Sequence, residues 1–149
     1  MSRPMHDAVA EQDFATHEHR EILPWFDRLH DVGASVGHHS VGEVSVALHR
    51  VIVWLEHCLE DHAAWEEVWL YPEIDERVGT PWATKVMRFE HQQIRAAIRH
   101  LAADQAALEH ELTHAQATEL RSRIFGLEAI LRSHLECEDR VLLPALDEV

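Results

Sequence analysis

The sequence is poor in whatever staples, punctuates or anchors a chain. Two cysteines, Cys58 and Cys137, leave no disulfide framework and no CxxC pair. Five glycines and five prolines in 149 residues are too few for a turn-rich all-β protein or a linker-rich chain. No apolar run approaches the roughly 20 residues of a membrane span, and residues 1–10 lack the basic-then-apolar order of a secretory signal. Together these absences predict a cytoplasmic protein in a reducing compartment, with no membrane partner. Basic residues are scarce too: 13 Lys and Arg stand against 27 Asp and Glu, a formal net charge of −14. A surface that acidic repels phosphate backbones, so no nucleic-acid partner is expected, and it attracts cations.

What is present is ordinary globular chemistry, 46% hydrophobic and 27% charged, in a length that suits one domain. We expect a single domain over 1–149, with its core at 14–147 and a short N-terminal extension at 1–13. The unusual component is histidine. There are 14 of them, and histidine is the commonest metal ligand.

Four segments carry an apolar stripe that advances by alternating steps of three and four, the period of a helix. The first runs Ala15, His19, Ile22, Phe26, Leu29; the second Leu48, Ile52, Leu55, Leu59, His62, Glu66, Trp69. The third runs Met87, His91, Ile94, Ile98, Leu101, with a continuation toward Leu108. The fourth runs Leu120, Ile124, Leu127, Leu131, His134, Glu138, Val141. The breaks fall at the Gly-rich stretch 31–39, with Ser40 or Val41 opening the second helix, and at Pro72, expected to end its regular part. A further break falls at 78–81, with Thr80 as N-cap and Pro81 at the first helical position. Thr113 and Gln116 make a candidate capping box for the last helix. No strand-like alternation occurs. The fold expected is an all-α, up-down antiparallel four-helix bundle.

The chain also repeats at an offset of 72. His19 matches His91, His62 matches His134, Glu66 matches Glu138 and Pro72 matches Pro144, with apolar pairs such as Ile22/Ile94, Leu55/Leu127 and Leu70/Leu142 between them. The bundle is therefore read as two pseudo-repeated helical hairpins.

Six polar residues interrupt the inward stripes: His19, His62, Glu66, His91, His134 and Glu138. A buried carboxylate is costly unless it is paired, hydrogen-bonded or bound to metal, and no Lys or Arg lies on any inward stripe. A cationic metal answers both facts. His62 and Glu66, like His134 and Glu138, stand one helical turn apart on one face, a spacing from which bundle cores build dinuclear carboxylate sites. Mixed imidazole and carboxylate ligation suits iron, manganese or zinc rather than copper(I). His17 competes with His19 but is out of phase with Ile22 and Phe26. His6, His38, His39, His110 and His114 read as solvated loop or terminal residues, and His30, His49, His57 and His100 as surface. Trp54, Trp65, Trp69 and Tyr71 read as packing, Cys137 as a buried inert thiol, and Pro24 as a bend one turn past His19.

With these residues in view, the chain resembles the hemerythrin-like (HHE cation-binding) domain family over residues 14–147. The likeness lies in Glu18-His-Arg-Glu-Ile22, His62-Ala-Ala-Trp-Glu-Glu-Val-Trp-Leu-Tyr-Pro72, Glu90-His-Gln-Gln-Ile94 and His134-Leu-Glu-Cys-Glu-Asp-Arg-Val-Leu-Leu-Pro144, all four in order. The resemblance implies two non-haem iron ions at one end of the bundle. His19 and His62 would hold one, and His91 and His134 the other. Glu66 and Glu138 would bridge them with a solvent-derived oxo or hydroxo group; manganese or zinc are the alternative metals.

Such a centre would bind dioxygen, nitric oxide or peroxide for storage, sensing or oxidant response. The alternatives are an enzyme that breaks down hydrogen peroxide or reduces dioxygen, and an iron-sensing module that folds with its metal. A structural bundle whose buried His and Glu merely pair with one another is the fourth reading. No catalytic residue, electron donor or signalling partner is specified. Oxygen carriers of the family have a further His where this chain has Arg95, and bridge with an Asp at the position of Asp139, so the bridge is left open between Glu138 and Asp139.

Overall fold

The computed structural model describes residues 8–147, and within them the chain forms four helices and no strand. We number them α1 (Ala8–Ser35), α2 (a continuous run over 41–78), α3 (Trp82–Ala106) and α4 (114–146). Each packs on its two neighbours around the bundle, α1 on α2 and α4, and α3 on α2 and α4. The expected up-down bundle is the one observed. His6 lies outside the described residues. α1 already runs from Ala8, inside the stretch read as an extension, and Glu11 is buried there.

Local chemistry sets most boundaries. Ser40 caps α2, accepting from the Glu43 amide at 3.2 Å while Glu43 Oε2 accepts the Ser40 amide at 3.0 Å. Thr113 and Gln116 make the same reciprocal pair at the start of α4, as the sequence predicts. Two boundaries move. α1 continues past Asp31 to Ser35, because Gly33 is no breaker: a Cβ there would stand 2.8 Å from Phe125 and 2.9 Å from Ile124, so glycine lets α1 approach α4. α3 starts at Trp82 with Pro81 as its N-cap and no side-chain cap from Thr80. Gly79 ends α2 in the left-handed region, at φ 75°, the usual conformation of a glycine just past a helix.

Pro72 does not end α2, and Pro24 leaves α1 continuous on an exposed face. The first of these has a specific cause. Glu66–Leu70 in α2 and Glu138–Leu142 in α4 are wide, π-helical turns that match at the 72-residue offset. In each, the residue before the proline sends its amide five residues back, Tyr71 to Glu66 and Leu143 to Glu138. The proline, which has no amide to give, then follows a ladder that is already interrupted. The extra residue also shifts the phase. Trp69 and Val141, expected inward, are 39% and 61% exposed, and Leu70 and Leu142 take the inward positions at 0% and 4%.

The core is split. A large apolar cluster holds Ile22, Phe26, Leu48, Leu55, Ile94, Ile98, Leu127 and Leu131 among others. A smaller one holds Ala15, Leu70, Tyr71, Ile74, Met87, Leu142, Leu143 and Leu146. On every helix the polar interruptions fall between members of the two. All four helices thus contribute, in register, to one polar layer.

Candidate metal centre

That layer collects the six residues the stripes pointed to. His19, His62, Glu66, His91, His134 and Glu138 are all buried, none more than 6% exposed. They are the only buried histidines and two of the three buried glutamates among the described residues; the third is Glu11. His17 is exposed where His19 is buried, and the other eight described histidines are exposed as well.

The ring nitrogens converge. His62 Nε2 lies 2.7 Å from Glu66 Oε1, His91 Nε2 3.1 Å from Glu66 Oε2, His134 Nε2 3.1 Å from Glu138 Oε1 and His19 Nε2 3.3 Å from Glu138 Oε2. Two metal-ready groups result. One is His19, His62, Glu66 and Glu138; the other is Glu66, His91, His134 and Glu138, each with ligand atoms within 4.8 Å of one another. The two glutamates belong to both groups, as a bridge between two ions requires. Asp139 does not. It is about two-fifths exposed and its Oδ1 lies 2.6 Å from His19 Nδ1, so of the adjacent pair it is Glu138 that faces the centre.

The donor set fits divalent cations on two counts. Both nitrogens of His62 and Oε2 of Glu138 are buried without an aligned hydrogen-bond partner, an arrangement rare in finished cores. And the layer is hungry for positive charge. Burial disfavours a charged imidazole at His19, yet contacts with Glu138 and Glu66 outweigh it and push the ring up to about 10. His134 is pushed up to about 9 against the same burial, through Glu138 and Glu90. Burial likewise favours a neutral Glu66, but contacts with His19, His62 and His91 hold its carboxyl well below the usual range.

Further carboxylates support the rings from outside. His91 Nδ1 lies 2.7 Å from Glu67 Oε1 and His134 Nδ1 2.8 Å from Glu90 Oε2. Reasoning from the stripe missed Glu67 and Glu90, which stand one position off it. The signal was there in the repeat, since Glu67 and Asp139 match at the 72-residue offset.

Tyr71 corrects a second expectation. It is the only tyrosine, read from sequence as packing, and its ring does fill the smaller cluster. Its hydroxyl, however, enters the polar layer, donating to Glu138 Oε1 and lying 3.2 Å from His91 Nε2. Burial, then the charges of Glu66 and Glu138, push this hydroxyl far above its ordinary range, so it stays protonated and is a donor. Trp54 stacks on Trp25 with centroids 4.9 Å apart, and Trp65 packs on Phe14. Cys137 is half-buried, its thiol pushed up by burial and by Glu90 and Glu138.

At the centre itself, bordered by His62, Glu66, His91, His134 and Glu138, lies a cavity of about 30 Å³, room for a ligand of water size. Its walls are apolar toward the large cluster, with Phe26, Leu55, Ile94, Ile98 and Leu131, and reach Glu60 and Arg95 at the other side. Arg95 is no ligand. Its Nε donates to Glu60 at 2.8 Å and its Nη1 to Glu67 at 3.0 Å. Each metal-ready group therefore has two histidines.

No helix among the described residues is long and apolar enough to cross a membrane. Neither a curated protein nor a solved structure matches the chain. The model of the hemerythrin HHE cation-binding domain does, over residues 12–146. Covering nearly all of the 149 residues, and meeting a four-helix bundle whose His and Glu side chains gather in two cation-ready groups, that match shows that the chain belongs to the hemerythrin HHE cation-binding domain family.

Proposed function

We propose that this chain is a non-haem di-iron protein whose centre takes a small ligand, dioxygen, nitric oxide or peroxide. The observation that carries the reading is the pairing of His19 with His62 and His91 with His134 around two shared carboxylates that border a cavity of about 30 Å³. His19 and His62 would hold one iron, His91 and His134 the other, with Glu66 and Glu138 common to both. When bound, iron supplies reversible one-electron chemistry and positions at which a small ligand attaches. The chain's own part is to give the cavity an apolar wall, Phe26, Leu55 and Ile98, and to limit the ligand to about that size. Tyr71 keeps a proton on its hydroxyl at the edge of the centre.

That hydroxyl favours a second reading, breakdown of hydrogen peroxide. Turned from Glu138, its one proton can be donated to an oxygen atom of an incoming peroxide. Metal content per chain tests the first step: about two irons for protein made with iron, manganese and zinc all supplied. Spectral change on adding dioxygen or nitric oxide without turnover supports the binding protein. Peroxide loss far beyond one equivalent per centre supports the enzyme. A fully helical chain that takes up no metal overturns both.

A further inference from the structure

The two halves of the polar layer match by sequence offset but are not equally built. Resting on the dinuclear reading above, we infer that the metal position served by His91 and His134 is the tighter of the two and fills first, with Glu67 and Glu90 as the positioning residues that make it so.

A histidine that ligates through Nε2 is oriented by what its Nδ1 hydrogen donates to, and such partners change metal affinity by roughly 10–100-fold. At His91 and His134 both Nδ1 atoms have one, Glu67 at 2.7 Å and Glu90 at 2.8 Å. Glu67 is itself fixed. Its side chain accepts from Arg95, which is clamped by both oxygens of Glu60 at 2.9 and 2.8 Å, and its carbonyl accepts from Arg88 at 3.0 Å.

The other half has less. His19 has Asp139, but Leu23 stands where the offset would place a counterpart of Arg95, and Asp139 is 42% exposed. Among the described residues, none partners Nδ1 of His62. Glu18 is the offset counterpart of Glu90 but does not reach that nitrogen. The hydroxyl of Tyr71 also lies on the His91 side, and Leu143 holds the matching position. Glu66 and Glu138 serve both positions and cancel from the comparison.

One effect opposes the ranking. The guanidinium of Arg95 draws charge from Glu67 and makes it a weaker partner for His91 than a free carboxylate would be. It also removes the cost of ordering Glu67. The difference between two oriented rings and one is larger, and it sets the direction.

The test is an anaerobic titration of the full chain, freed of metal by chelation, with cobalt(II), followed by its visible absorption and by calorimetry. Two successive one-equivalent steps separated by at least about 10-fold in Kd are expected. Glu90→Gln, at a partly exposed position, should weaken the first step by about 10–100-fold, and Asp139→Asn should weaken the second; far-UV dichroism checks that both variants stay helical. Two equal positions that merely repel each other's cations would also give two steps. In that case, however, Glu90→Gln would leave the first step intact. That result, or a single shared affinity, overturns the inference while leaving the dinuclear reading in place. No cobalt uptake by the folded chain overturns the dinuclear reading itself.

Discussion

Tyr71 and Glu138 meet across the bundle from α2 and α4, a phenol hydroxyl donating to one carboxylate oxygen of the buried layer. Tyr71→Phe keeps the ring in the smaller cluster and removes only that donor. The variant should fold and keep the metal content of the parent chain, and the metal-free form should lose about 1–3 kcal/mol, the cost of stranding a buried acceptor. Urea unfolding of chelated protein measures it. If the hydroxyl serves peroxide chemistry, peroxide turnover falls while metal content does not.

Metal removal should cost stability without abolishing the helices. The layer's histidines and glutamates lie 2.7–3.3 Å from one another, close enough to pair as imidazolium and carboxylate once an ion leaves, while binding to the folded form alone adds stability by mass action. Chelation should lower Tm by many degrees and leave far-UV dichroism near its starting value. Equal Tm values would mean a purely structural layer; loss of helicity would favour the sensing alternative, in which metal drives folding.

The metal-free protein should depend on pH in one direction above neutrality. His19 and His134 are raised in the folded state, to about 10 and about 9. Their contribution is complete below the unfolded value near 6.5 and is lost as pH climbs through 9 to 10. Glu66 is lowered, so its contribution holds above about 4.5 and is lost in acid. Urea midpoints of chelated protein should be higher at pH 6 than at pH 9.5, and should fall again below pH 4.

Gly33 and Gly126 should answer alanine oppositely. At Gly33 the added methyl meets Phe125 and Ile124 inside 3 Å, and at Gly126 it meets nothing within 4 Å. Overpacking should cost Gly33→Ala about 1–3 kcal/mol. Gly126→Ala, in the interior of α4, should gain about 0.5–1 kcal/mol from helix propensity. Thermal unfolding of the two variants side by side decides it.

The layer was legible in the sequence because burial, helical phase and repetition all constrain the same six positions. A charged residue on an apolar stripe is conspicuous, and one that recurs 72 residues later is more so. What lies off the stripe was not. Glu67 and Glu90 act on the far side of the imidazoles, where the pattern expects ordinary surface carboxylates, and Asp139, a candidate bridge in the sequence, does the same at His19. Tyr71 belongs to an apolar cluster by its ring and to the layer by its oxygen, and a hydrophobic period registers only the ring. Trp69 and Val141 were misplaced because the stripe was extended at a constant pitch through turns that are wider than α.

Those wide turns have a consequence for how the chain tolerates insertions and deletions. Each carries one residue more than the α pitch would. Deleting Val68 would return that turn of α2 to the α pitch, yet rotate everything after it by roughly 100° and swing Leu70, Tyr71 and Ile74 out of the smaller cluster. A loop such as 107–113 can change length and spare the rest of the fold. At 66–70 and 138–142 the count of residues is itself a structural requirement, because the inward face of everything that follows is set by it.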